Sequence, residues 1–223
     1  MIDTGVVRVQ GAVATNAARL VAAGDAVFVD GPPPRFVSRG GEKLDAALEA
    51  FGLDVGGVRA LDVGASTGGF TDCLLQRGAA QVVALDVGHG QLDVRLRNDP
   101  RVTVLERVHV NDVDPVAIGA PFALVVIDVS FISLTSIAAA VFGRLVGSGG
   151  DVVALVKPQF EVTRAVASRG KGVVTDRAEW EGAIERVKTA FGACGATMMG
   201  VVESPITGAS GNTEFLLRCV AES

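Results

Sequence analysis

From residue 41 to the last residues, short runs of almost continuous apolar residues alternate with segments of helical periodicity. In the segment 43–51, for example, Leu44, Ala47, Leu48 and Phe51 fall on one face of a helix. The apolar runs have the length of strands and few polar interruptions, which is typical of strands buried on both faces. Strands are predicted at 59–63, 81–86, 102–105, 123–128 and 151–156, and helices between them at 70–77 and 134–146. This alternation predicts a parallel sheet that is covered by helices on both faces.

The chain after Lys157 follows a different order. A glycine-rich loop is predicted up to residue 174, and a helix at 177–191 follows it. Two further strands, at 197–203 and 213–220, are joined by a segment rich in Gly, Ser and Pro, a composition that favours turns. Their closeness in the chain predicts an antiparallel hairpin at an edge of the sheet.

The first 40 residues have a less regular pattern. A short helix is predicted at 16–23, a turn at 24–25 and a strand at 26–29, before a stop at Asp30-Gly31-Pro32-Pro33-Pro34. These residues are too few to bury a core by themselves. We expect residues 1–35 to form part of a small domain, residues 36–40 to form a linker and residues 41–223 to form the larger domain.

Composition and charge exclude several classes of protein. With 49% hydrophobic and 20% charged residues, the chain of 223 residues is expected to fold. A net charge of −5 argues against a basic coat over the whole surface, although residues 1–40 carry +1 (four Arg against three Asp). The apolar runs are far shorter than the ~20 residues that span a bilayer. Three cysteines without disulfide or zinc spacing, and no visible signal sequence, favour a cytoplasmic protein without a metal centre.

The first strand runs into a glycine-rich turn, Asp62-Val63-Gly64-Ala65-Ser66-Thr67-Gly68-Gly69-Phe70-Thr71. Doubly wound folds bind ligands beyond the carboxyl ends of their strands, where glycines allow a close approach to the backbone. The dinucleotide pattern G-x-G-x-x-G needs glycine where Ser66 stands, so the turn favours S-adenosylmethionine (SAM) and leaves NAD open. Asp86, which ends the second strand, can accept hydrogen bonds from both ribose hydroxyls, and Asp112 could face the adenine. The alternative is an ordinary strand–helix turn.

Four charged residues stand where apolar elements begin or end. Lys43 opens the helix before the first strand, Asp128 and Lys157 end the fourth and fifth strands, and Glu214 lies in the last strand. Two of the four lysines in the chain are among them. A charge at the end of an apolar strand is costly unless it is paired or lies at the rim of a site. We therefore expect one shared polar site, the alternative being four separate surface charges.

Several segments together resemble the TlyA family of ribosomal RNA 2′-O-methyltransferases, some of which are labelled hemolysin A. The resemblance is carried by the glycine-rich turn, by Phe36-Val37-Ser38-Arg39-Gly40-Gly41-Glu42-Lys43-Leu44 and by Asp86-Val87-Gly88-His89-Gly90-Gln91-Leu92. It continues in Asp128-Val129-Ser130-Phe131-Ile132-Ser133-Leu134, in Val156-Lys157-Pro158-Gln159-Phe160-Glu161 and between Ser204-Pro205 and Gly211-Asn212-Thr213-Glu214. It spans residues 36–220.

The resemblance implies an α/β fold: an FtsJ-like SAM methyltransferase domain with a Rossmann-like sheet and an antiparallel last strand, preceded by a partial S4-like RNA-binding segment. The sequence shows no counterpart of the first half of an S4 domain, either because the chain begins late or because the module is degenerate, so we expect residues 1–40 to add little RNA affinity. By the same resemblance, Lys43, Asp128, Lys157 and Glu214 form a catalytic tetrad. The implied cofactor-binding residues are Asp62, Gly64, Ala65, Ser66, Thr67, Gly68, Gly69, Phe70, Asp86, Val87, Asp112 and Asp128.

The implied reaction is SAM-dependent 2′-O-methylation of a ribose, on cytidine, in 16S ribosomal RNA, 23S ribosomal RNA or both, free or in ribosomal subunits. A 2′-hydroxyl is a weak nucleophile and the methyl sulfonium is already activated, so the enzyme must orient and deprotonate the oxygen. Lys157 is the expected base or orienting group. Basic residues that could contact the RNA are Arg39, Arg107, Arg164, Arg169 and Lys171.

Three other functions compete with this one. An NAD-dependent oxidoreductase is disfavoured by Ser66 and leaves the two lysines without a role. A membrane-lytic protein, suggested only by the hemolysin label, is disfavoured by the short apolar runs. A non-catalytic RNA-binding protein is disfavoured by the complete tetrad.

Overall fold

The computed structural model describes residues 2, 5–32 and 34–222, and the chain divides into two compact units, Met1–Arg35 and Phe36–Ser223. The small unit contains three strands, β1 (Val7–Val9), β2 (Ala12–Val13) and β3 (Val27–Val29), in an antiparallel sheet of order β2-β1-β3. The strand predicted at 26–29 is thus confirmed as β3. Of the stop predicted at 30–34, Pro33 lies outside the described residues.

The helix predicted at 16–23 is wrong. These residues are exposed and form turns and irregular backbone. Two polar side chains bind the backbone N–H groups instead: Asn16 Oδ1 accepts from Ala18 N at 2.9 Å, and Asp25 Oδ2 accepts from Ala22 N at 2.9 Å. So short a helix is marginal without a packed face, and Asn and Asp offer the backbone competing turns.

The large unit is built on a seven-stranded sheet of order β6-β5-β4-β7-β8-β10-β9. The strands are β4 (Arg59–Val63), β5 (Gln81–Asp86), β6 (Val102–Glu106), β7 (Phe122–Ile127), β8 (Val146–Val156), β9 (Ala196–Glu203) and β10 (Phe215–Ala221). The first five pair in parallel, whereas β10 runs antiparallel to both β8 and β9. The predicted parallel sheet and the terminal hairpin are both confirmed, with β10 between β8 and the edge strand β9.

Helices cover the sheet. They are α1 (Gly40–Ala50), α2 (Gly69–Gln76), α3 (Val94–Arg97), α4 (Ala138–Ala140), α5 (Pro158–Glu161), α6 (Arg164–Arg169) and α7 (Arg177–Gly192). The helix predicted at 134–146 is broken into a 3₁₀ turn, α4 and a π-helical turn at Val141–Leu145. Ser133 Oγ caps the 3₁₀ turn by accepting from Thr135 N, and Ser136 Oγ donates to Ser133 O, a local hydrogen bond that competes with a continuous α-helix. The loop predicted after Lys157 contains α5 and α6.

The two faces of the sheet bury two separate cores. Leu44 and Leu48 of α1 and Leu74 of α2 pack on one face, and Val187 and Phe191 of α7 belong to the core on the other. The segment 36–40, predicted as a linker, packs into the large unit: Phe36 is buried against Gly41, and Val37 N donates to Asp72 Oδ2 at 2.8 Å. Across the described residues, no helix has the length and apolar character needed to cross a bilayer.

Candidate active site

Two adjoining cavities open at the carboxyl ends of the parallel strands. The large cavity has a volume of about 760 Å³ and lies against α1, the glycine-rich turn and the residues that follow β7 and β8. The small cavity, of about 350 Å³, lies over the ends of β4, β5 and β7. Both are lined by Gly64, Ser66, Asp128, Ser130 and Phe131. The two cavities therefore share a wall, and a ligand of two parts can occupy both.

The glycine-rich turn between β4 and α2 forms that shared wall. Gly64 has a φ of +86° and packs so closely on Asp128 that a Cβ would overlap the Asp128 carbonyl oxygen. Asp128 N in turn donates to Val63 O at 2.9 Å. Ser66 also has a positive φ, of +49°, and its N–H points to the end of the neighbouring strand. The turn is thus held open by contacts that only glycine permits at position 64.

Asp86, at the end of β5, lines the small cavity. Its Oδ2 accepts from Ser66 N at 2.7 Å and its Oδ1 accepts from Gly88 N at 2.6 Å. Each oxygen keeps a second lone pair for a ligand hydroxyl. The rest of the small cavity is mainly apolar, with Leu85, Val110 and Ile132 among its walls. A carboxylate beside apolar walls suits a nucleoside, whose ribose is polar and whose base is flat.

Asp62 is placed differently from the prediction. It is fully buried on β4 and lines neither cavity. Its Oδ2 accepts from the Thr71 hydroxyl at 2.7 Å, whereas its Oδ1 has no hydrogen-bond partner among the described residues. Burial raises the pKa of Asp62 to about 7, and the charges of Asp128 and Asp86 act in the same direction against the Thr71 hydrogen bond. Asp62 ties β4 to α2 behind the turn.

The predicted tetrad comes together as two ion pairs at the large cavity. Lys43 Nζ lies 2.5 Å from Glu214 Oε2, with both side chains buried (9% and 3% exposed). Lys157 Nζ lies 2.6 Å from Asp128 Oδ1 and donates to Ser130 Oγ at 2.8 Å. This second pair is more open, with 11% of the Lys157 and 22% of the Asp128 side chain exposed. Asp128 and Lys157 each follow directly after a strand, and Glu214 directly precedes β10.

Aromatic rings form one rim of the large cavity. Phe131 is 89% exposed and has a φ of +68°, a conformation that a residue with a Cβ adopts only at a cost. Its ring lies 5.3 Å from the Phe160 ring, and Lys157 Nζ lies 5.9 Å from the centre of the Phe160 ring. A bulky apolar side chain that is held out over a cavity is suited to contact a ligand.

Some predicted cofactor residues line the cavities and others do not. Ala65, Thr67, Gly69 and Phe70 line the large cavity, and Val87 lines the small one. Gly68 lines neither and forms the left-handed cap of α2. Asp112 is exposed outside both cavities, and from its segment His109 and Val110 reach the small one.

Sequence reasoning assigned no role to Ser130, Phe131, Gln159 and Asn212, which also line the large cavity. The signal for all four was their position inside the segments that carry the family resemblance. Spacing alone gave no reason to select them.

Comparison with known proteins identifies the family to which the chain belongs. The model of the FtsJ-like methyltransferase family matches residues 36–219. The 16S/23S rRNA (cytidine-2′-O)-methyltransferase TlyA of Mycobacterium tuberculosis is 47% identical over 97% of this chain and 81% of its own length. Hemolysin A of Brachyspira hyodysenteriae is 44% identical over 82% of this chain and 75% of its own length. A solved structure of a hemolysin-labelled protein from Streptococcus thermophilus superimposes with a TM-score of 0.87 at 39% identity, covering 100% of this chain and 81% of that one.

The fold is that of a SAM-dependent methyltransferase. The chain belongs to the FtsJ-like methyltransferase family and, within it, to the TlyA proteins. The predicted family, fold class, enzyme class and cofactor are thereby confirmed. The alternatives of an NAD-dependent oxidoreductase and of a non-catalytic RNA-binding protein are thereby excluded.

Proposed function

We propose that this chain transfers a methyl group from SAM to the ribose 2′-hydroxyl of cytidine in ribosomal RNA. The name of the M. tuberculosis relative, which covers nearly the whole chain, supports this substrate. One observation carries the proposal: two lysine–carboxylate ion pairs face the same large cavity, next to the cavity suited to a nucleoside. A hydroxyl that enters the large cavity therefore meets ammonium and carboxylate groups.

The small cavity and the shared wall fit SAM. When bound, SAM supplies a methyl group already activated by a sulfonium. Asp86 would accept hydrogen bonds from the ribose hydroxyls, while Leu85, Val110 and Ile132 would enclose the base. Ser66, whose N–H already binds Asp86, holds the carboxylate in place for that role.

The two ion pairs divide the remaining work. Lys157, which follows β8 and lines the large cavity, would orient the 2′-hydroxyl and accept its proton in the uncharged form. Asp128, at 2.6 Å, would stabilise the ammonium that results, and Ser130 would fix the direction of Nζ. Lys43 and Glu214, both buried, would keep the neighbouring wall rigid and add a fixed charge pair beside the reacting oxygen.

The target nucleotide would enter past the aromatic rim. Phe131 offers an exposed face on which a base can stack, a contact worth ~1–3 kcal/mol and tolerant of sequence. We further propose that the small unit, residues 1–35, is the partial S4-like segment and that Arg39, Arg107, Arg164, Arg169 and Lys171 bind RNA phosphates. All five of these basic side chains belong to the large unit.

Mapping of ribose methyl groups by mass spectrometry tests the function. The enzyme would be incubated with SAM and with 16S or 23S rRNA, free and in ribosomal subunits, and the nucleosides compared with those from an Lys157→Ala sample. We expect 2′-O-methylcytidine that depends on both SAM and Lys157. Methylation of a base nitrogen or carbon, or no methylation of any rRNA form by an enzyme that binds SAM, would refute the proposal.

A further inference from the structure

A basic segment lies over one side of the large cavity. We call residues 163–172, which contain α6, the cover segment; Ala167 and Gly172 within it line the cavity. Its three charged residues, Arg164, Arg169 and Lys171, are all basic and exposed. A short exposed segment of this kind has few packing contacts of its own, so its position must be set by other parts of the fold.

Asn212 supplies such a constraint. It is 1% exposed, and its side-chain amide binds the last residue of the cover segment and the backbone two residues after it. Its Nδ2 donates to Gly172 O at 2.8 Å, and its Oδ1 accepts from Val174 N at 2.9 Å. A buried amide that makes two well-formed hydrogen bonds to one backbone segment holds that segment in a single position.

The backbone of Asn212 belongs to the turn that holds Glu214. Asn212 O accepts from Gly208 N at 2.8 Å, and Gly211 N donates to Gly208 O at 2.9 Å. Gly208 packs directly on the Glu214 carboxylate, where a Cβ would overlap Oε1. One residue thus joins the cover segment to the turn that packs on the Lys43–Glu214 ion pair.

We propose that Asn212 is a positioning residue that sets the basic cover segment relative to the tetrad, so that RNA bound by the cover presents its ribose to the large cavity. This inference rests on the proposed function, because it takes RNA as the ligand of the cover. Asn212 acts through the backbone at 172–174 and not on the reacting atoms, since its amide is already engaged there.

The test compares Asn212→Ala and Asn212→Asp with the wild type and with Asn98→Ala, an exposed residue after α3. Asn212→Asp keeps the shape and the acceptor for Val174 N but loses the donor to Gly172 O. We expect trypsin to cleave after Arg164, Arg169 or Lys171 about tenfold faster in Asn212→Ala, and the KM for rRNA to rise by a similar factor. The Kd for SAM should stay unchanged, and Asn212→Asp should show shifts of at least similar size in the same direction, because its buried carboxylate would face Gly172 O without a donor.

The results of these measurements either support or overturn the positioning role of Asn212. Wild-type cleavage and KM values in both variants would overturn the proposal, and so would a parallel loss of SAM binding, which would indicate a general role in folding. If Asn212→Ala does not fold, Asn212→Asp carries the same test. The cleavage rate needs no methyl transfer, so it reports on Asn212 even if the wild type methylates no rRNA, the result by which the proposed function itself would fail.

Discussion

At the scale of single residues, the two lysine–carboxylate pairs differ in ways that assign them different work. Lys43 and Glu214 are almost completely enclosed, whereas Lys157 and Asp128 are partly open to the large cavity. All four side chains line the large cavity and Asp128 is the most exposed of them, so the Lys157–Asp128 pair is the better placed to contact a substrate atom. The enclosed pair is energetically costly, because buried charges lose their hydration and recover that free energy only through close pairing.

Replacement of Lys157 by Ala should abolish methyl transfer and leave SAM binding nearly intact. Lys157 follows β8, whereas the small cavity lies over β4, β5 and β7, so the substitution removes a group that acts on the nucleophile. General acid–base effects contribute about 10²–10⁴-fold, and lost orientation adds to this. The variant Lys157→Arg should not retain methyl transfer either, since a guanidinium group stays protonated near neutral pH. Radiolabelled methyl transfer and calorimetric SAM titration on the same samples measure the expected loss of activity and the expected retention of SAM binding. Substantial activity in Lys157→Ala would indicate that Lys43 is the base or orienting group.

Replacement of Lys43 alone by Met should destabilise the protein by about 3–5 kcal/mol, because Glu214 is left buried without its partner. The double variant Lys43→Met/Glu214→Leu should recover most of this stability yet remain inactive. Urea unfolding and methyl-transfer assays measure the two effects. The exposed pair Arg177–Glu181 on α7 is the matched control, and its double alanine variant should change stability by less than about 1 kcal/mol. Full activity in the stable double variant would remove the enclosed pair from catalysis.

Asp62 should make stability depend on pH. Its pKa is about 7 in the folded protein against an ordinary 3.8, so between these values the folded state binds more protons than the unfolded state. Stability should therefore fall as pH rises from about 4 to 7. Asp62→Asn cannot ionise and should match the wild type at the acidic end and exceed it by a few kcal/mol above pH 7. Urea unfolding midpoints of both proteins at pH 4.5 and 8 measure this difference in stability. The same change in midpoint between the two pH values in the wild type and in Asp62→Asn would contradict the raised pKa of Asp62.

Among helices and strands, the sequence predicts correctly those that are buried on both faces. It fails where side-chain hydrogen bonds to the backbone determine the local conformation. The apolar periodicity predicts β4, β5, β6, β7 and α7 within one residue, because it has one packed solution. The strand β8 instead begins at Val146, five residues before its predicted start. The segment 16–23 has helix-forming residues but no face to pack, and Asn16 and Asp25 divert its backbone. In the segment 134–146, Ser136 Oγ donates to Ser133 O, a local hydrogen bond that competes with a continuous α-helix.

The candidate site follows the same division. Strand ends meet at one edge of a parallel sheet, so the sequence can predict that Asp86, Asp128, Lys157 and the glycine-rich turn lie around one pair of cavities. Asp112 was misplaced because the exposed segment after β6 has no periodicity that fixes its direction. The alternation of side chains along β4 turns Asp62 towards α2, so it binds Thr71 and lines neither cavity.

The turn between β4 and α2 should not tolerate a side chain at Gly64. Gly64→Ala would meet both a left-handed φ and the carbonyl oxygen of Asp128, so the wall shared by the cavities would have to shift. We expect the Kd for SAM to rise at least about tenfold, since Ser66 and Asp86 would lose their alignment. Gly143→Ala is the matched control, because its added Cβ would meet no atom within 4 Å. Equal SAM affinity of the two variants would contradict this reading of the turn.

At the scale of the whole molecule, charge is distributed unevenly between the two units. Residues 1–35 contain three Arg and three Asp, a formal charge of zero, so the charge of −5 lies in the large unit together with the basic cover segment. Binding of nucleic acids depends mainly on phosphate contacts, each of which steepens the salt dependence. Local basic groups around the large cavity, and not the small unit, are therefore the expected source of RNA affinity.

A chain that begins at Phe36 should keep most of the activity on free rRNA. The large unit has its own two cores and contains both cavities, so SAM affinity should be unchanged on removal of residues 1–35. Because the removed residues carry no net charge, the KM for rRNA should change by less than about threefold and the salt slope by less than about one unit. As a positive control, an Arg164→Ala/Arg169→Ala/Lys171→Ala variant of the full chain should lower the slope by two to three units, at ~0.9 per lost phosphate contact. A tenfold or larger rise in the KM of the shortened chain, with SAM binding intact, would instead assign RNA recognition to the small unit through polar and shape contacts that its charge does not reveal.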